Sequence, residues 1–384
     1  MIGSSSRQER TIADFRRFYE ENANVQLSRS SFYDRFSLDL VNFLHVCLMH
    51  GIDTLIPLET SKLKEKLSSF KDILIQDSSI IRLHEKLSSN FPAVRTRKVA
   101  AGIKLSLLVS AISNGPMHVA LHSERTAEQK TLRIGSWVRD RILLIDLGFF
   151  KHHLLARISE NGGYFVTRLK KNGDPLIVGT NITCRGRSIN VTGKRLSEVL
   201  PRIKRRIVDV DVEIYFKRNK YKGKQRKDKK RFRLVGIFNA EDKRYHFYLT
   251  NIQKTVLDAE EISVLYSARW QVELIFKELK SKYGIDVLPS ANIAVIRSLI
   301  WAAVLMLIVS RRVLLLVTHG VDNIQRYTTL RWATVFVGKV REIVHAVLVY
   351  AGMKEENQNL LTVLRRQALD PNVKRKRLPD VWRA

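Results

Sequence analysis

Cysteine is almost absent from this chain: Cys47 and Cys184 are the only two in 384 residues. Neither a disulfide framework nor a cysteine zinc site can be built from them within one chain. The opening segment, MIGSSSRQERTIADF, has no apolar stretch of secretory type, so a reducing, cytoplasmic setting is expected. Long hydrophobic runs are missing as well. The longest, residues 299–309 within SLIWAAVLMLIVS, is flanked by Arg297, Arg311 and Arg312 and falls short of the roughly 20 residues that cross a bilayer. It reads as a buried helix, and no membrane partner is expected. No GxxxxGKS phosphate loop is present, so ATP use is not indicated, and no internal repeat is found. Acidic residues are scarce too: 37 Asp plus Glu stand against 67 Lys plus Arg, a formal charge of +30 with a pI near 10.3. Such a chain repels itself unless a polyanion is its normal partner. Its basic residues are spread over the whole length and do not follow one apolar segment, which favours nucleic acid over an anionic membrane surface.

What is present suffices for a large core, since 45% of the residues are hydrophobic and the length suits two or three domains. Residues 1–70 read as helices with polar breaks: TIADFRRFYEENA, SRSSFYDRFSLDLVNFLHVCLMHG and ETSKLKEKLSSF, with Ser28 or Ser30 capping the second. With Arg29 and Arg35 they suit either a DNA-binding unit of helix-turn-helix type or a plain helical support. Residues 71–171 change to short apolar runs. KDILIQDSS, KLSLLVSAISNG and PMHVALHSE predict three strands of an antiparallel meander. The helix-like TAEQKTLRIGSWVRDR follows, then a strand in RILLIDLGFF, a helix in KHHLLARISENGG and a strand in YFVTRLK. ILIQD and ILLID are near-continuous apolar runs that each finish on an aspartate, as a buried strand delivering a carboxylate at its end would.

Residues 172–251 differ in composition. RIVDVDVEIYF alternates, with Val208, Val210, Val212 and Ile214 on one face and Asp209, Asp211 and Glu213 on the other, which predicts a half-exposed strand with a solvated acidic side. RFRLVGIFN and RYHFYLTN are further strands. Between the first two, residues 217–231 read KRNKYKGKQRKDKKR, ten basic residues in fifteen with a single acid. So charged a stretch suits a solvated hairpin tip or, the reading we favour, an arm along a phosphate backbone through Lys222, Lys224, Arg226 and Lys227. Residues 252–320 return to helix, and 321–384 form a C-terminal helical region with a basic tail at Lys374, Arg375, Lys376 and Arg377.

One helical segment, LYSARWQVELIFKELKSKYG, carries the chemistry. Tyr266, Arg269, Glu273 and Lys280 are spaced by three, four and seven residues, which at roughly 100° per residue sets all four within about 60° round one helix axis. Leu265, Val272, Ile275, Phe276 and Leu279 take a neighbouring, core-facing side. On an arbitrary helix, ion pairs of Arg269 with Glu273 and of Glu273 with Lys277 would account for the stripe. In so basic a chain it has another use. Phosphodiester cleavage with two metal ions needs carboxylates that converge from rigid elements, because the metals lie about 3.5–4 Å apart. Asp77 and Asp146 become neighbours if the first and fourth strands lie side by side, and Glu273 can then cross their ends. Oxygen-only ligands facing a phosphate point to Mg2+, with Mn2+ as a substitute.

These four residues meet the Y-(2)-R-(3)-E-(6)-K signature without departure, and the chain resembles the DDE transposases of prokaryotic insertion sequences that the signature defines. Asp146-Leu147-Gly148-Phe149-Phe150, followed by Tyr164 to Lys170 in YFVTRLK, resembles the family's second acidic block. Asp77 in LIQDSS fits the first block by a looser pattern. The similarity covers about residues 70–310. It implies an α/β, RNase H-like catalytic fold, a mixed sheet with flanking helices formed by residues 71–171 and 252–320. A β-rich insertion at 172–251 interrupts it, and helical regions lie N- and C-terminal to it. The resemblance further implies a nucleoid-associated transposase that works on double-stranded DNA as a homodimer. Such an enzyme binds terminal inverted repeats, cuts the ends by metal-dependent hydrolysis through a hairpin, and joins them to target DNA. It assigns the metals to Asp77, Asp146 and Glu273, and the phosphates beside the cut to Tyr266, Arg269 and Lys280. Some members stack a flipped base on a tryptophan of the insertion. Here RYHFYLT has none, which leaves Tyr245, Tyr248 or Trp270 as candidates. Two competing readings are a nuclease of the same fold that cuts without joining and a transposase-derived DNA-binding protein that no longer cuts. The presence of all three acids disfavours the second.

Overall fold

The structure, a computed structural model, describes residues 11–350 apart from 24, 56–64, 95–99, 185–186, 189, 219–222, 287 and 289, with residues 352, 364–365 and 367–369 beyond. Three helices come first: α1 (Ile12–Ala23), α2 (Arg29–Tyr33) and α3 (Leu38–Leu55). Ser28 caps α2 by accepting from the Ser31 amide. The segment read as one long second helix is two, because Ser37 accepts from the Leu40 amide and so starts a new helix. Strands β1 (Asp72–Leu83), β2 (Ala101–Ser110) and β3 (Gly115–Ser123) form the expected antiparallel meander. The next stretch, expected as a helix, gives only the single turn α4 (Glu128–Thr131) and a 3-10 turn at Ser136–Val138. Gly135 between them is fully extended, which no helix can carry through.

Strand β4 (Arg141–Ile145), helix α5 (His152–Glu160) and strand β5 (Tyr164–Arg168) follow as read. Then come β6 (Leu176–Thr180), the small pair β7 (Thr183–Cys184) and β8 (Arg187–Ser188), the turn α6 (Leu196–Val199), and three long strands, β9 (Ile207–Lys217), β10 (Lys227–Asn239) and β11 (Arg244–Thr250). Helices α7 (Ala259–Ser267), α8 (Trp270–Ser281), α9 (Ile293–Thr318), α10 (Thr329–Gly338) and α11 (Val340–Tyr350) complete the described chain.

The main sheet has the order β3-β2-β1-β4-β5-β11-β10-β9-β6. Its centre, β1-β4-β5, is parallel, and the remaining pairs are antiparallel. Because β11 pairs with β5, the strands of residues 172–251 prolong the central sheet. β4 shows why its sequence is apolar throughout: Ile142 and Leu144 share a core with Val272, Ile275 and Val304 of α8 and α9, while Leu143 and Ile145 pack with Leu154, Leu155 and Ile158 of α5. A strand covered on both faces has no polar side to offer. A mixed sheet flanked by helices, with further helices at each end, is the RNase H-like arrangement expected.

Three expectations are modified by the structure. The acidic side of β9 is only partly solvated, and its acids are paired. Asp209 is 2% exposed and makes a two-point pair with Arg233 at 2.8 and 2.7 Å, Asp211 pairs with Arg231 at 2.6 Å, and Glu213 pairs with Lys229 at 3.0 Å. The basic residues of β10 thus consume the acids of β9 across the antiparallel register. Second, the basic stretch 217–231 is the end of a hairpin, in which Lys217 closes β9 and residues 227–231 open β10, with 219–222 outside the described residues. β10 begins at Lys227, which pairs with Lys217, and Arg218 ties the hairpin to α5 by donating to Glu160 at 3.0 and 2.5 Å. Third, the apolar run 299–309 is a buried helix as expected, but it lies inside the longer α9, whose 26 residues are by length and composition enough to cross a membrane. Arg311 is no solvent flank: it is 4% exposed and holds Glu278, which is fully buried, at 2.6 and 3.1 Å. Most of α9 is buried within the protein, which makes it a core helix here, with α8 fastened to it by that ion pair.

Candidate active site

β1 and β4 run side by side and parallel, with Gln76 opposite Ile145. The next residue on each is therefore Asp77 or Asp146, and the two aspartates emerge together where β4 stops. β1 does not end there, as its apolar run suggested. It continues to Leu83 because β2 pairs with it along its whole length, Ser78 with Ser106 and Leu83 with Ala101.

The third acid arrives on α8, whose start differs from the single helix expected. α7 opens with a capping box, in which Asp258 accepts from the Glu261 amide and Glu261 accepts from that of Asp258. It then stops at Ser267. Between α7 and α8 the amides of Ala268, Arg269 and Gln271 bond to carbonyls three residues back, those of Leu265, Tyr266 and Ala268. Such a 3-10 passage advances about 120° per residue against about 100° in an α-helix, so over three residues it turns Arg269 about 60° relative to Tyr266 from where one continuous helix would set it. Tyr266 turns into the core, 6% exposed, with its ring 5.2 Å from that of Tyr248. Arg269 precedes α8 and reaches over the acids.

Its guanidinium joins them. Arg269 donates to Glu273 Oε1 at 2.6 Å and lies 3.9 Å from Asp146 Oδ1 and 4.0 Å from Asp77 Oδ2. One cation is shared by three carboxylates from β1, the turn after β4, and α8. Burial raises the pKa of Asp77 to about 6, repulsion from Asp146 and Glu128 adds to it, and the Ser78 amide and Arg269 oppose it. Burial works against the charge of Arg269 as well, but Glu273, Tyr266 and Asp146 more than offset it. The pair with Glu273 is the ordinary i,i+4 bridge; the approach to two aspartates from other elements is not. Among the described residues no group of three acids, histidines or cysteines is closed up as a metal site; the Arg269 guanidinium lies among these three acids.

The family model for the transposase DDE domain matches residues 68–309, a span that contains all three acids. The chain belongs to the transposase DDE domain family. Among relatives, the transposase for insertion sequence element IS1151 of Clostridium perfringens is 23% identical over 283 residues, 66% of this chain and 59% of that protein. The transposase for IS231B of Bacillus thuringiensis subsp. berliner is 26% identical over 250 residues, 57% of this chain and 51% of that protein. The chain spans between about half and three fifths of the length of these relatives. A cryo-EM structure of a piggyBac transposase synaptic complex with hairpin DNA covers 97% of this chain and 85% of its own at 9% identity and a TM-score of 0.38, too distant a likeness to argue from.

The other signature and basic residues of this transposase DDE domain lie as follows. Tyr266 has a buried hydroxyl with no hydrogen-bond partner among the described residues; burial, with repulsion from Asp146, pushes its pKa up to about 12. Lys280 is half-buried two turns along α8 from Glu273. Burial draws its pKa down, Asp286 opposes, and Arg82 adds to the shift. Trp270 is 47% exposed. Tyr248 is buried, which closes its ring to a base, whereas Tyr245 is half-buried and its hydroxyl donates to the Arg205 carbonyl. Lys224, Arg226 and Lys227 are exposed on the hairpin, while Lys222 and the basic tail lie outside the described residues. Sequence reading missed one neighbour of Tyr266 and one of the Asp77 strand. Arg168, at the end of β5, lies 5.9 Å from the Tyr266 ring. Glu128 of α4 accepts from Ser78 Oγ at 3.4 Å. Neither belongs to a fixed spacing, and Glu128 is brought in by the sheet alone.

Proposed function

We propose that the chain is a DNA transposase that cuts phosphodiester bonds at the ends of an insertion sequence with a divalent metal, Mg2+ or in its place Mn2+, held by Asp77, Asp146 and Glu273. The observation that carries the reading is the convergence of those three carboxylates on the Arg269 guanidinium, within a span matched by the transposase DDE domain. The donors suit the ion: all are carboxylate oxygens, and a positive group already lies among them. A divalent cation bound there would supply Lewis acidity toward the scissile phosphate.

Arg269 is the residue that must move. While it holds Glu273 it blocks the acids from one another, and a DNA phosphate offers its planar fork an equally good bidentate partner. Arrival of DNA then draws Arg269 off the carboxylates and turns it to grip the backbone beside the cut. Lys280, two turns further along α8, takes a phosphate farther from the cut. In this reading the substrate is the element's terminal inverted repeat in double-stranded DNA, the assembly is a homodimer, cutting passes through a hairpin, and the ends are then joined to target DNA.

The test is metal-dependent nicking of end-containing DNA beside a gel shift. Asp77→Asn, Asp146→Asn and Glu273→Gln should each lower nicking by at least about 100-fold, the loss of several kcal/mol of charge stabilisation, with DNA binding nearly intact. Full nicking by any one of them removes that residue from the site. Arg269→Ala and Lys280→Ala should let nicked strands accumulate and suppress the hairpin. A joining assay on pre-cut ends separates a transposase from a nuclease.

A further inference from the structure

Glu128 lies outside the signature, yet its carboxylate sits between the backbones that carry the two aspartates. Ser78, the neighbour of Asp77, donates to Glu128 Oε1 at 3.4 Å. On the other side lies Gly148, two residues after Asp146: an ideal β-carbon built there would be 1.4 Å from Glu128 Oε2 and 2.6 Å from its Cδ. The glycine of the second acidic block therefore leaves room for this carboxylate. The turn before α4 is held down firmly for so short an element. Lys104, a lysine buried in the sheet, donates to the Thr126 carbonyl at 2.5 Å, and Arg125 donates to the Ala93 carbonyl at 3.3 Å. Glu128 is half-buried, and among the described residues no cation is in ion-pair contact with it. Its negative charge reaches Asp77. A further carboxylate beside Asp77, with no ion-pair cation of its own among the described residues, suits a site where one positive charge is to be shared.

We propose that Glu128 is a positioning residue for the cut: through Ser78 and Gly148 it fixes the strand of Asp77 against the turn after Asp146, and it adds a fourth negative charge behind the candidate metal ligands. The inference rests on the metal-site reading above. It predicts that Gly148 and Glu128 act through one contact.

Mn2+ binding, followed by electron paramagnetic resonance on the full chain bound to a short DNA duplex, tests it. Glu128→Gln, which keeps the shape, and Glu128→Ala should each weaken Mn2+ binding about tenfold, the low end of what outer partners of metal ligands cost. The gel shift and melting temperature should stay near wild type. Gly148→Ala should weaken Mn2+ as much, by pushing the carboxylate aside. Combined with Glu128→Ala it should add nothing, since two changes at one contact are not additive. Wild-type Mn2+ affinity in Glu128→Gln overturns the charge role. Losses that multiply in the double variant overturn the shared contact. If Glu128→Ala fails to fold, the Glu128→Gln and Gly148→Ala measurements still decide. Should wild type and Glu273→Gln bind Mn2+ equally poorly, the metal-site reading falls and this proposal with it. If Glu273→Gln loses Mn2+ while the Glu128 variants keep it, only this proposal falls.

Discussion

Asp72 and Asp77 share one strand, both with pKa values raised by burial to about 6, yet their surroundings differ. Asp77 has Arg269 and its acidic neighbours. Asp72 sits at the start of β1 and accepts from Ser110 Oγ at 2.9 Å and from the Ile73 amide at 2.7 Å, both at Oδ1. Its folded pKa lies above the reference value of 3.8, so the native state binds the proton more tightly than the unfolded one. The charged form therefore costs stability above about pH 6, and the cost fades as pH falls toward about 4. Asp72→Asn keeps an oxygen for both bonds and removes the charge. It should stabilise the protein by about 1–3 kcal/mol at pH 7.5, with the gain gone near pH 4, as urea denaturation at the two pH values would show. At this scale the sequence was most legible where spacing is fixed: Arg269, Glu273 and Asp146 are where the signature and the acidic block put them. Glu128 was not legible, because its partners Ser78 and Gly148 reach it only through the sheet. Asp209 was misread because alternation reveals a second face but not the arginine waiting opposite it.

Elements were legible where their apolar period agreed with their packing. The strands and α5 follow their sequence patterns, since each buries the face those patterns describe. The disagreements have local causes. A short-range hydrogen-bond pattern splits α7 from α8, and β1 outruns its apolar segment because β2 goes on pairing with it. The placement of α8, which carries Glu273, depends on one buried ion pair: Arg311 holds Glu278 and also donates to the Asn114 carbonyl in the turn between β2 and β3 at 2.9 Å. Removing one partner strands the other charge in the core. Arg311→Ala should cost about 3–5 kcal/mol, whereas Arg311→Met with Glu278→Leu should recover most of that loss. Equilibrium unfolding of the three proteins measures this, and an equal loss in single and double variants would show that packing, not charge, is what α8 needs.

At the scale of the molecule, the excess of 67 basic over 37 acidic residues is sharpened by pairing within the insertion. Asp209, Asp211 and Glu213 are spent on Arg233, Arg231 and Lys229, which leaves the hairpin cations Lys224, Arg226 and Lys227 exposed beyond them. Charge composition points to a polyanion, whereas the continuity of the sheet from β5 into β11 was not legible, because strand order is fixed by partners distant in sequence. Neutralising Lys224, Arg226 and Lys227 should flatten the salt dependence of DNA binding by about 0.9 in log–log slope for each DNA phosphate that the hairpin ceases to neutralise. An unchanged slope in a gel-shift series would place the hairpin away from DNA.

The shared position of Arg269 has a thermodynamic corollary. If, as proposed, the side chain that occupies the acids in the free protein leaves them for a phosphate, DNA and the divalent cation become positively coupled ligands. By reciprocity, whatever factor DNA adds to cation affinity the cation must add to DNA affinity. Arg269→Ala should therefore bind Mn2+ more tightly than wild type when no DNA is present, with the coupling factor falling toward one, as paired titrations with and without duplex would reveal. A chain adrift between binding sites would then carry a cleavage centre occupied by its own side chain, and would become competent only in the act of binding.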